Sequence, residues 1–316
     1  MAVILFGYYG YDNAGDEKLL DETVRLIKAV SLKQPFWVAS GPCSIPFPSF
    51  SRWNIFLWIF YLLRSRSLIF GGGSVFQSQT SFFSLLYYLV IVRMATLFNC
   101  QVILLSHGWG PFKTKTHERF ARSILSQSNV RRSWRDGLAK ESFSKNDDPI
   151  FSDLTFFSKR TANAMINNRS RQCIGLSDID PSLKSIISNL NLPYPIVNII
   201  NQPDSSNVPN DALLLSDIWD DCSSFHVVIT QRYHTAIWAS KFGLPWLAVS
   251  DDPKLIALAS SANQPITSIH HPQLSEQLIQ FIQDNSIDGP DQSLLEWYDS
   301  LYDQRQDVLG WLNDTL

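Results

Sequence analysis

The sequence has few cysteines, no excess of positive charge and no apolar run long enough to cross a membrane. Its four cysteines, Cys43, Cys100, Cys173 and Cys222, lack the close paired spacing of a zinc site. Buried reduced thiols are therefore the expected state, and we predict no metal. The 26 lysines and arginines face 29 aspartates and glutamates, for a net charge of −3. This balance argues against a nucleic-acid partner.

Two apolar segments raise the question of a membrane. Trp53–Leu63 is too short to span one, and Phe82–Phe98 is broken by an arginine and two tyrosines, which favours a buried helix. Ala2–Phe6 is too short for a secretory signal, so we expect a cytoplasmic protein. The first segment nevertheless leads into Arg64 and Arg66. Because aromatic helices flanked by arginines can lie on lipid, peripheral contact with the inner face of the cell membrane stays open.

The chain begins with an apolar strand, a glycine-bearing turn and a helix. Ala2–Phe6 is followed by GYYGYDNAGDEKLLDE. Asn13 or Asp16 can cap the helix, and a helix N-terminus suits an anion or a polar sugar group. The glycine spacing is not that of the dinucleotide fingerprint. Glu17 is interpreted as an ordinary helix-capping acid, whereas Asp16 becomes a candidate if the loop faces a ligand.

Two further apolar strands end in glycine clusters. Ser67–Phe70 leads into Gly71, Gly72, Gly73 and Ser74, and Gln101–Leu105 leads into SHGWGP, which contains Gly108. Loops after parallel strands line the ligand edge of a sheet, and glycines there expose backbone N–H groups. Gly72, Gly73, Ser74 and Gly108, together with Asn13 of the first loop, are therefore candidates for an anion or acceptor site.

Three potential cations follow two successive strands in the second half of the chain. Arg232 and His234 come after the apolar run Phe225–Ile229, and Lys254 comes after Trp246–Val249. If the strands are parallel neighbours, the three side chains converge on one sheet edge and suit a phosphate or carboxylate. Scattered surface charge with one core histidine is the alternative.

Five segments, in order, resemble the polysaccharide pyruvyl transferase family, and its bacterial cell-wall-polymer type most. They are GYYGYDNAGDE, GGGSVFQSQTS, SHGWGP, SWRDGLAKES and TQRYHTAIWASKFGLPWLAVSDDPK. The resemblance implies a GT-B-like fold, with two Rossmann-like domains facing a central cleft that holds the active site. It also implies phosphoenolpyruvate (PEP) as donor, a sugar acceptor that is lipid-linked in some relatives, and a pyruvate ketal product. The chain departs from the family pattern at Ser177-Asp178, where an arginine is common, and at Tyr233, where leucine is common.

The elements predict an α/β protein with an N-terminal domain over 1–159, on the acceptor side, and a C-terminal domain over 160–290, on the PEP side. Residues 291–316 are predicted as a helix, centred on 294–312, that packs back on the first domain. Predicted strands lie at 2–6, 36–39, 68–70, 102–105, 132–134 and near 151, then at 173–176, 196–200, 225–229, 246–249 and 266–269.

The predicted roles divide between PEP and the acceptor. Arg232 and Lys254 bind the phosphate or carboxylate of PEP, with Arg135 as a third cation unless it only pairs with a neighbouring acid. His234 donates a proton to PEP or contacts its phosphate, because histidine changes charge near neutral pH. Asp16 takes a proton from the sugar hydroxyl or orients it. No cofactor is predicted. A nucleotide-sugar-dependent GT-B glycosyltransferase, or an inactive sugar-binding relative, remains the alternative.

Overall fold

The structure is a computed structural model that describes residues 2–30, 34–143, 147–159, 173–177, 180–190, 192, 194–202, 212–222, 225–285 and 290–316. The chain divides into two compact units. One is Met1–Phe157 with Asp303–Leu316, and the other is Ser158–Tyr302. Each unit contains a parallel six-stranded sheet. The prediction of an α/β protein with two Rossmann-like halves is confirmed.

The sheet of the first unit contains β1 (Ala2–Phe6), β2 (Phe36–Ser40), β3 (Ser49–Ser51), β4 (Ser65–Gly71), β5 (Gln101–His107) and β6 (Val130–Trp134). Their order is β3-β2-β1-β4-β5-β6. The chain therefore runs outward in one direction from β1 and in the other from β4. Ligands of open α/β sheets bind beyond the strand ends at such a reversal.

Helices cover both faces of this sheet, which explains why β1 is apolar throughout and why β4 and β5 are apolar at their centres. Ile4 and Phe6 of β1 face a core that includes residues of α2 (Ile55–Leu62), α3 (Phe82–Leu97), α4 (Lys115–Leu125) and α5 (Gly137–Phe143). Val3 and Leu5 face the opposite core, which contains α1 (Ala14–Val30) and a 3-10 turn at Leu154–Phe157.

The second unit repeats the pattern. Its strands are β7 (Cys173–Ser177), β8 (Ile196–Ile200), β9 (Ala212–Leu214), β10 (Phe225–Thr230), β11 (Trp246–Val249) and β12 (Ile266–Thr267), in the order β12-β11-β10-β7-β8-β9. Its helices are α6 (Pro181–Ser188), α7 (Leu215–Ile218), α8 (Tyr233–Lys241), α9 (Pro253–Ser261), α10 (Leu274–Asp284) and α11 (Gln292–Asp303). The reversal here lies between β7 and β10.

The C-terminal segment differs from the single helix predicted over 294–312. After α11 the chain breaks at Gln304 and continues as α12 (Arg305–Thr315). The Gln304 side chain accepts a hydrogen bond from the Ser152 backbone N–H at 2.9 Å. Val308 and Leu312 of α12 are buried in the first unit's core beside α1. The last helix therefore completes the first unit.

Two strand predictions were wrong in detail. The strand expected near Phe151 is reduced to an isolated bridge between Ile150 and Trp134, because the chain turns into the 3-10 segment soon afterwards. The strand expected over 266–269 ends at Thr267. The edge strands β3 and β9 were missed, because three residues are too few to show an alternating pattern. Within the part of the chain described, no helix is long and apolar enough to span a membrane.

Candidate functional site

The loop after β1 is closed by the first turn of the helix that follows it. The Glu17 carboxylate accepts hydrogen bonds from the backbone N–H groups of Gly10, at 2.7 Å, and Tyr11, at 3.3 Å. Asn13, and not Asp16, caps α1, because its Oδ1 accepts from the Asp16 N–H at 3.3 Å. Glu17 and Asn13 Oδ1 therefore hold the loop in place. Asp16 is the remaining carboxyl of the first helical turn.

The glycine turn after β4 lies against Asp16. Gly72 and Gly73 have φ angles of +77° and +76°, a region that side-chain-bearing residues rarely adopt. A Cβ atom on Gly73 would lie 3.8 Å from Asp16 Oδ1. Because β1 and β4 are neighbours where the strand order reverses, two loops distant in sequence bring this carboxyl and this turn together.

Asp16 has the protonation behaviour of a group that exchanges protons near neutral pH. It is half-buried, and burial, followed by the negative charges of Glu17 and Asp153, raises its pKa to about 8. An ordinary aspartate is fully ionised at pH 7, whereas Asp16 holds its proton most of the time. Enzymes tune acids and bases in this direction when they work near neutrality.

A second contact joins the turns after β4, β5 and β6. A Cβ atom on Gly108 would collide with Ser74 Oγ and would lie 3.2 Å from Arg135 Nη2. Only glycine therefore lets these two side chains approach the chain at this point. Ser74 Oγ is buried and has no hydrogen-bond partner among the residues that the structure describes. Buried hydroxyls normally have a partner, so this oxygen is suited to a ligand.

The backbone of these turns is engaged within the fold. The Gly72 N–H donates to the Leu105 carbonyl at 2.8 Å, and the Gly108 N–H donates to the Gly73 carbonyl at 2.7 Å. These two N–H groups tie the ends of β4 and β5 together. The side chains of Asp16, Ser74 and Arg135 offer further polar groups at this edge.

Arg135 is buried between two acids. Its Nε lies 3.1 Å from Asp136 Oδ2, and its Nη1 lies 4.0 Å from Asp153 Oδ2. Asp153 is fully buried, and its Oδ1 accepts hydrogen bonds from the Thr155 N–H and hydroxyl. Asp153 was missed from the sequence. It is the single acid in the apolar run IFSDLTFF, and a charge in such a run is the signal that could have found it.

Arg52 was also missed, and it supports the loop after β1. It is buried, and it donates to the Gly7 carbonyl at 2.8 Å and to the Tyr88 hydroxyl at 2.8 Å. Its guanidinium carbon lies 4.9 Å from the centre of the Phe6 ring. Nothing in its sequence neighbourhood, SFSRWN, indicates this position. The guanidinium fixes the first residue of the loop that carries Asp16.

In the second unit, Arg232 and His234 follow β10 and lie at the start of α8. The Thr230 hydroxyl oxygen accepts from the Arg232 N–H at 2.8 Å, which turns the chain from strand into α8. Arg232 is exposed at the N-cap position, and His234 is half-buried in the first turn. The His234 ring packs edge-on against Tyr233, with 5.6 Å between ring centres.

Lys254 occupies the equivalent place on the next strand. β11 pairs in parallel with β10, and α9 follows it. Asp252 Oδ1 caps α9 by accepting from the Lys254 N–H at 2.9 Å, so Lys254 lies in the first helical turn. Three basic side chains therefore sit at the starts of two helices on adjacent strands. Helix N-termini favour bound anions.

A buried polar cluster fixes the start of α8. Ser177 Oγ lies 2.7 Å from the Thr235 hydroxyl, and the Asn201 side-chain amide donates to both oxygens, at 2.9 and 3.0 Å. Ser177, the first residue of the Ser177-Asp178 pair, thus anchors the helix that carries His234. Asp178 lies outside the described residues.

The basic edge also carries acids, and nearby donors engage them. Asp180 caps α6 and binds both the N–H and the hydroxyl of Ser182, which lowers its pKa. Asp251 accepts from the Ser268 hydroxyl at 3.1 Å. Across the described parts of both units, no three histidine, cysteine or acidic side chains group as metal ligands would.

Similar proteins give the family and the fold. A family model described as polysaccharide pyruvyl transferase matches residues 13–253. No curated protein sequence matches the chain. HepE from Anabaena, solved with UDP-glucose, superimposes with a TM-score of 0.62 at 9% identity, over 98% of this chain and 100% of that one. S. aureus MnaA with UDP gives 0.60 at 8% identity, over 100% and 98%.

A third structure, a putative UDP-N-acetylglucosamine 2-epimerase from Listeria monocytogenes, gives a TM-score of 0.57 at 9% identity, over 98% of this chain and 95% of that one. At such low identity these likenesses show the fold alone, which is GT-B-like. The family match is of another kind, because it covers most of the sequence and includes Asp16, Arg135, Arg232 and His234. The chain therefore belongs to the polysaccharide pyruvyl transferase family.

Proposed function

We propose that the protein transfers the enolpyruvyl group of PEP to a sugar of a polysaccharide or lipid-linked glycan precursor. The product is a pyruvate ketal, and phosphate is released. The observation that carries this proposal is the placement of Arg232, His234 and Lys254 at the starts of α8 and α9, on adjacent parallel strands. Membership in the family supports it.

This placement fits PEP because the donor carries a phosphate and a carboxylate. Arg232 offers a planar guanidinium that can grip either group with two hydrogen bonds, and Lys254 offers a point charge. The N–H groups in the first turns of α8 and α9 add donors directed at the same edge. Arg135, in the first unit, is a further candidate cation despite its two acidic neighbours.

The reaction moves two protons from the acceptor. A proton adds to the methylene carbon of PEP, which becomes a methyl group, and the adjacent carbon becomes electrophilic. One sugar hydroxyl attacks that carbon and the second displaces phosphate, so the two hydroxyl protons end on the methyl group and the phosphate. We assign His234 the donation to carbon. General acid catalysis of this kind contributes about 10²–10⁴-fold in rate.

Asp16 is the group we assign to the sugar. With a pKa of about 8 it is a stronger base than an ordinary carboxylate, and in its protonated form it can donate a hydrogen bond to a hydroxyl oxygen. In the same loop Tyr8 stacks on Tyr11, with 4.4 Å between ring centres, and Tyr8 is exposed. An exposed aromatic face of this kind suits the apolar face of a sugar ring.

A nucleotide-sugar glycosyltransferase is the competing function, because the HepE and MnaA structures hold UDP or UDP-glucose. A thermal-shift series separates the two donors. Ligand at about 100 times its dissociation constant adds about 2.7 kcal/mol of stability. We expect a shift with PEP and none with UDP- or GDP-sugars.

Activity is then measured as phosphate release from PEP against a panel of lipid-linked and aryl glycosides. The matched control is Lys184→Ala, which removes an exposed cation of α6 in the same unit. It should respond to PEP as the parent does. A shift with nucleotide sugars and none with PEP would contradict the proposal.

A further inference from the structure

The most exposed large apolar side chains of the described residues lie together on the first unit. Phe56 and Phe83 are each 79% exposed, and Leu97, Trp53 and Leu63 are between 62% and 71% exposed. We call the following set the apolar face: Trp53, Phe56, Phe60, Leu63, Phe83, Val90 and Leu97. Isolated exposed apolar residues are ordinary, but a group of this size indicates a binding surface.

The helical spacing aligns these side chains. Phe56, Phe60 and Leu63 are spaced four and three residues apart along α2 and its end, which places them on one side of the helix. Phe83 and Val90 are seven residues apart on α3, and Leu97 follows after another seven. Each helix thus has an exposed apolar stripe opposite the side that it buries.

The two helices cover the same face of the sheet, and their exposed apolar stripes lie on the sides turned away from it. Trp58 and Leu62 of α2 enter the same core as Leu85 and Leu89 of α3, so both helices cover one face of the sheet. The Trp53 ring, just before α2, lies 5.1 Å from the α3 ring of Tyr87. The exposed sides of α2 and α3 therefore form one continuous surface.

The charge of this region is opposite to that of the chain. Residues 23–117 contain no aspartate or glutamate. They contain nine basic residues, Arg25, Lys28, Lys33, Arg52, Arg64, Arg66, Arg93, Lys113 and Lys115. The rest of the chain contains the other 17 of the 26 basic residues and all 29 acidic residues. The stretch of chain that carries the apolar face is thus basic throughout, in a protein with net charge −3.

Two exposed arginines border the apolar face. Arg64 follows the α2 stripe, and its guanidinium carbon lies 3.7 Å from the centre of the Phe60 ring. Arg93 lies on α3 between Val90 and Leu97. Long basic side chains beside apolar ones can keep their charge among lipid head groups while their neighbours enter the hydrocarbon boundary.

We propose that the apolar face docks on a lipid bilayer that carries anionic head groups. Aromatic and aliphatic side chains supply the apolar insertion, and Arg64 and Arg93, in a stretch of chain without acids, supply the attraction to negative lipid. A protein partner or a second copy with a neutral surface would not explain why this stretch of the chain contains basic residues and no acids. This proposal does not depend on the reaction proposed above.

The test is flotation of the full-length protein with vesicles of phosphatidylcholine alone and of phosphatidylcholine mixed with phosphatidylglycerol. The apolar variant is F56S/F83S, and the charge variant is R64E/R93E. The matched control is I256S/I279S, which removes two exposed apolar side chains from the second unit. Circular dichroism and thermal unfolding establish that each variant is folded. This is expected, because all the substituted side chains are exposed.

We expect the parent and the control to float with anionic vesicles and to bind neutral vesicles more weakly. F56S/F83S should lose at least about tenfold in partitioning to both. R64E/R93E should lose about tenfold on anionic vesicles and little on neutral ones. A parent that does not float, or a folded F56S/F83S that floats like the parent, overturns the proposal. The proposal is also overturned if light scattering shows that the parent is a dimer, that the F56S/F83S substitutions dissociate it, and that the dimer does not bind vesicles.

Discussion

The two units share a strand order but differ in what they carry where that order reverses. In the first unit the loops after β1 and β4 bring together a half-buried carboxyl, Asp16, and a glycine turn. In the second unit the helices after β10 and β11 begin with Arg232, His234 and Lys254. The first edge thus presents a carboxyl whose pKa is raised to about 8, and the second presents three basic side chains. The shared topology therefore determines where functional side chains gather, and the loop sequences determine which side chains these are.

The comparison extends to the helix termini. A negative charge at a helix N-terminus is stabilised by about 0.3–1 kcal/mol, and a positive charge is disfavoured by the same effect. Asp16 is in the favoured place, yet burial raises its pKa. His234 and Lys254 are in first turns, where a cation does not help the helix. The two cations at the starts of α8 and α9 therefore do not serve helix stability, which fits the anion site proposed above.

The largest expected effect comes from replacing His234. This variant distinguishes whether His234 donates a proton to PEP or only contacts its phosphate. We expect His234→Gln to lose about 10²–10⁴-fold in turnover while PEP affinity stays nearly unchanged, because an acid that acts in the transition state contributes little to ground-state binding. Steady-state kinetics beside calorimetric titration with PEP measures both quantities. If the variant turns over normally at saturating PEP, His234 is not the acid.

Smaller but clear losses of affinity are expected from the two flanking cations. Arg232→Ala and Lys254→Ala should each weaken PEP binding by roughly 1.5–3 kcal/mol, the contribution of one charge-assisted hydrogen bond. Lys254→Ala should leave the free energy of unfolding of the ligand-free protein unchanged or slightly higher, since it removes a cation from a helix N-terminus.

Calorimetry gives the affinities, and urea unfolding gives the stabilities. Lys184→Ala serves again as the control and should change neither. A Lys254→Ala protein that loses stability while it keeps PEP affinity would assign this lysine to the fold instead.

The sequence predicted the second unit's edge better than the first's. The positions of Arg232, His234 and Lys254 follow from strand, turn and helix signals within 30 residues, and local patterns of this kind are readable. The proximity of Asp16 to Gly73, and that of Ser74, Gly108 and Arg135 to one another, depend on strand order. Strand order is set by packing across the whole sheet and is not written in any one segment.

Burial limited the sequence analysis in a second way. Asp153 and Arg52 are polar residues that a pattern assigns to the surface, but both are buried. Asp153 lies beside Arg135 and Thr155, and Arg52 lies between a carbonyl and aromatic rings. Such residues are recognised only when their partners are known, since the partners make burial tolerable.

Asp16→Asn should change how stability depends on pH. The folded pKa of Asp16 is about 8, above the ordinary value of 3.8, so the folded chain binds more protons than the unfolded chain between these values. The contribution of Asp16 is complete below about pH 4 and is lost as pH rises through 8, with a slope of at most about 1.4 kcal/mol per pH unit. Asn cannot ionise and removes this slope.

The measurement is the free energy of urea unfolding from pH 5 to 9 for the parent, Asp16→Asn and Asp314→Asn. Asp314 is an exposed acid of α12 in the same unit, and its variant should follow the parent. The stability difference between the parent and Asp16→Asn should shift in favour of the variant from pH 5 to about pH 8 and level off above it. Parallel curves would mean that Asp16 is ionised throughout and has no raised pKa.

The smallest effect distinguishes two acids that both contact Arg135. The charge of Asp153 helps to raise the pKa of Asp16, after burial and Glu17, whereas Asp136 does not contribute. Asp153→Asn should therefore lower the pH at which Asp16 ionises, and Asp136→Asn should leave it unchanged, although each removes one acidic partner of Arg135. Carboxyl carbon resonances of labelled aspartate, assigned by comparison with Asp16→Asn, report this ionisation directly. Equal shifts in both variants would show that Arg135 transmits the effect. A downward shift confined to Asp153→Asn would show that the half-buried carboxyl of Asp16 and the buried carboxyl of Asp153 act on each other.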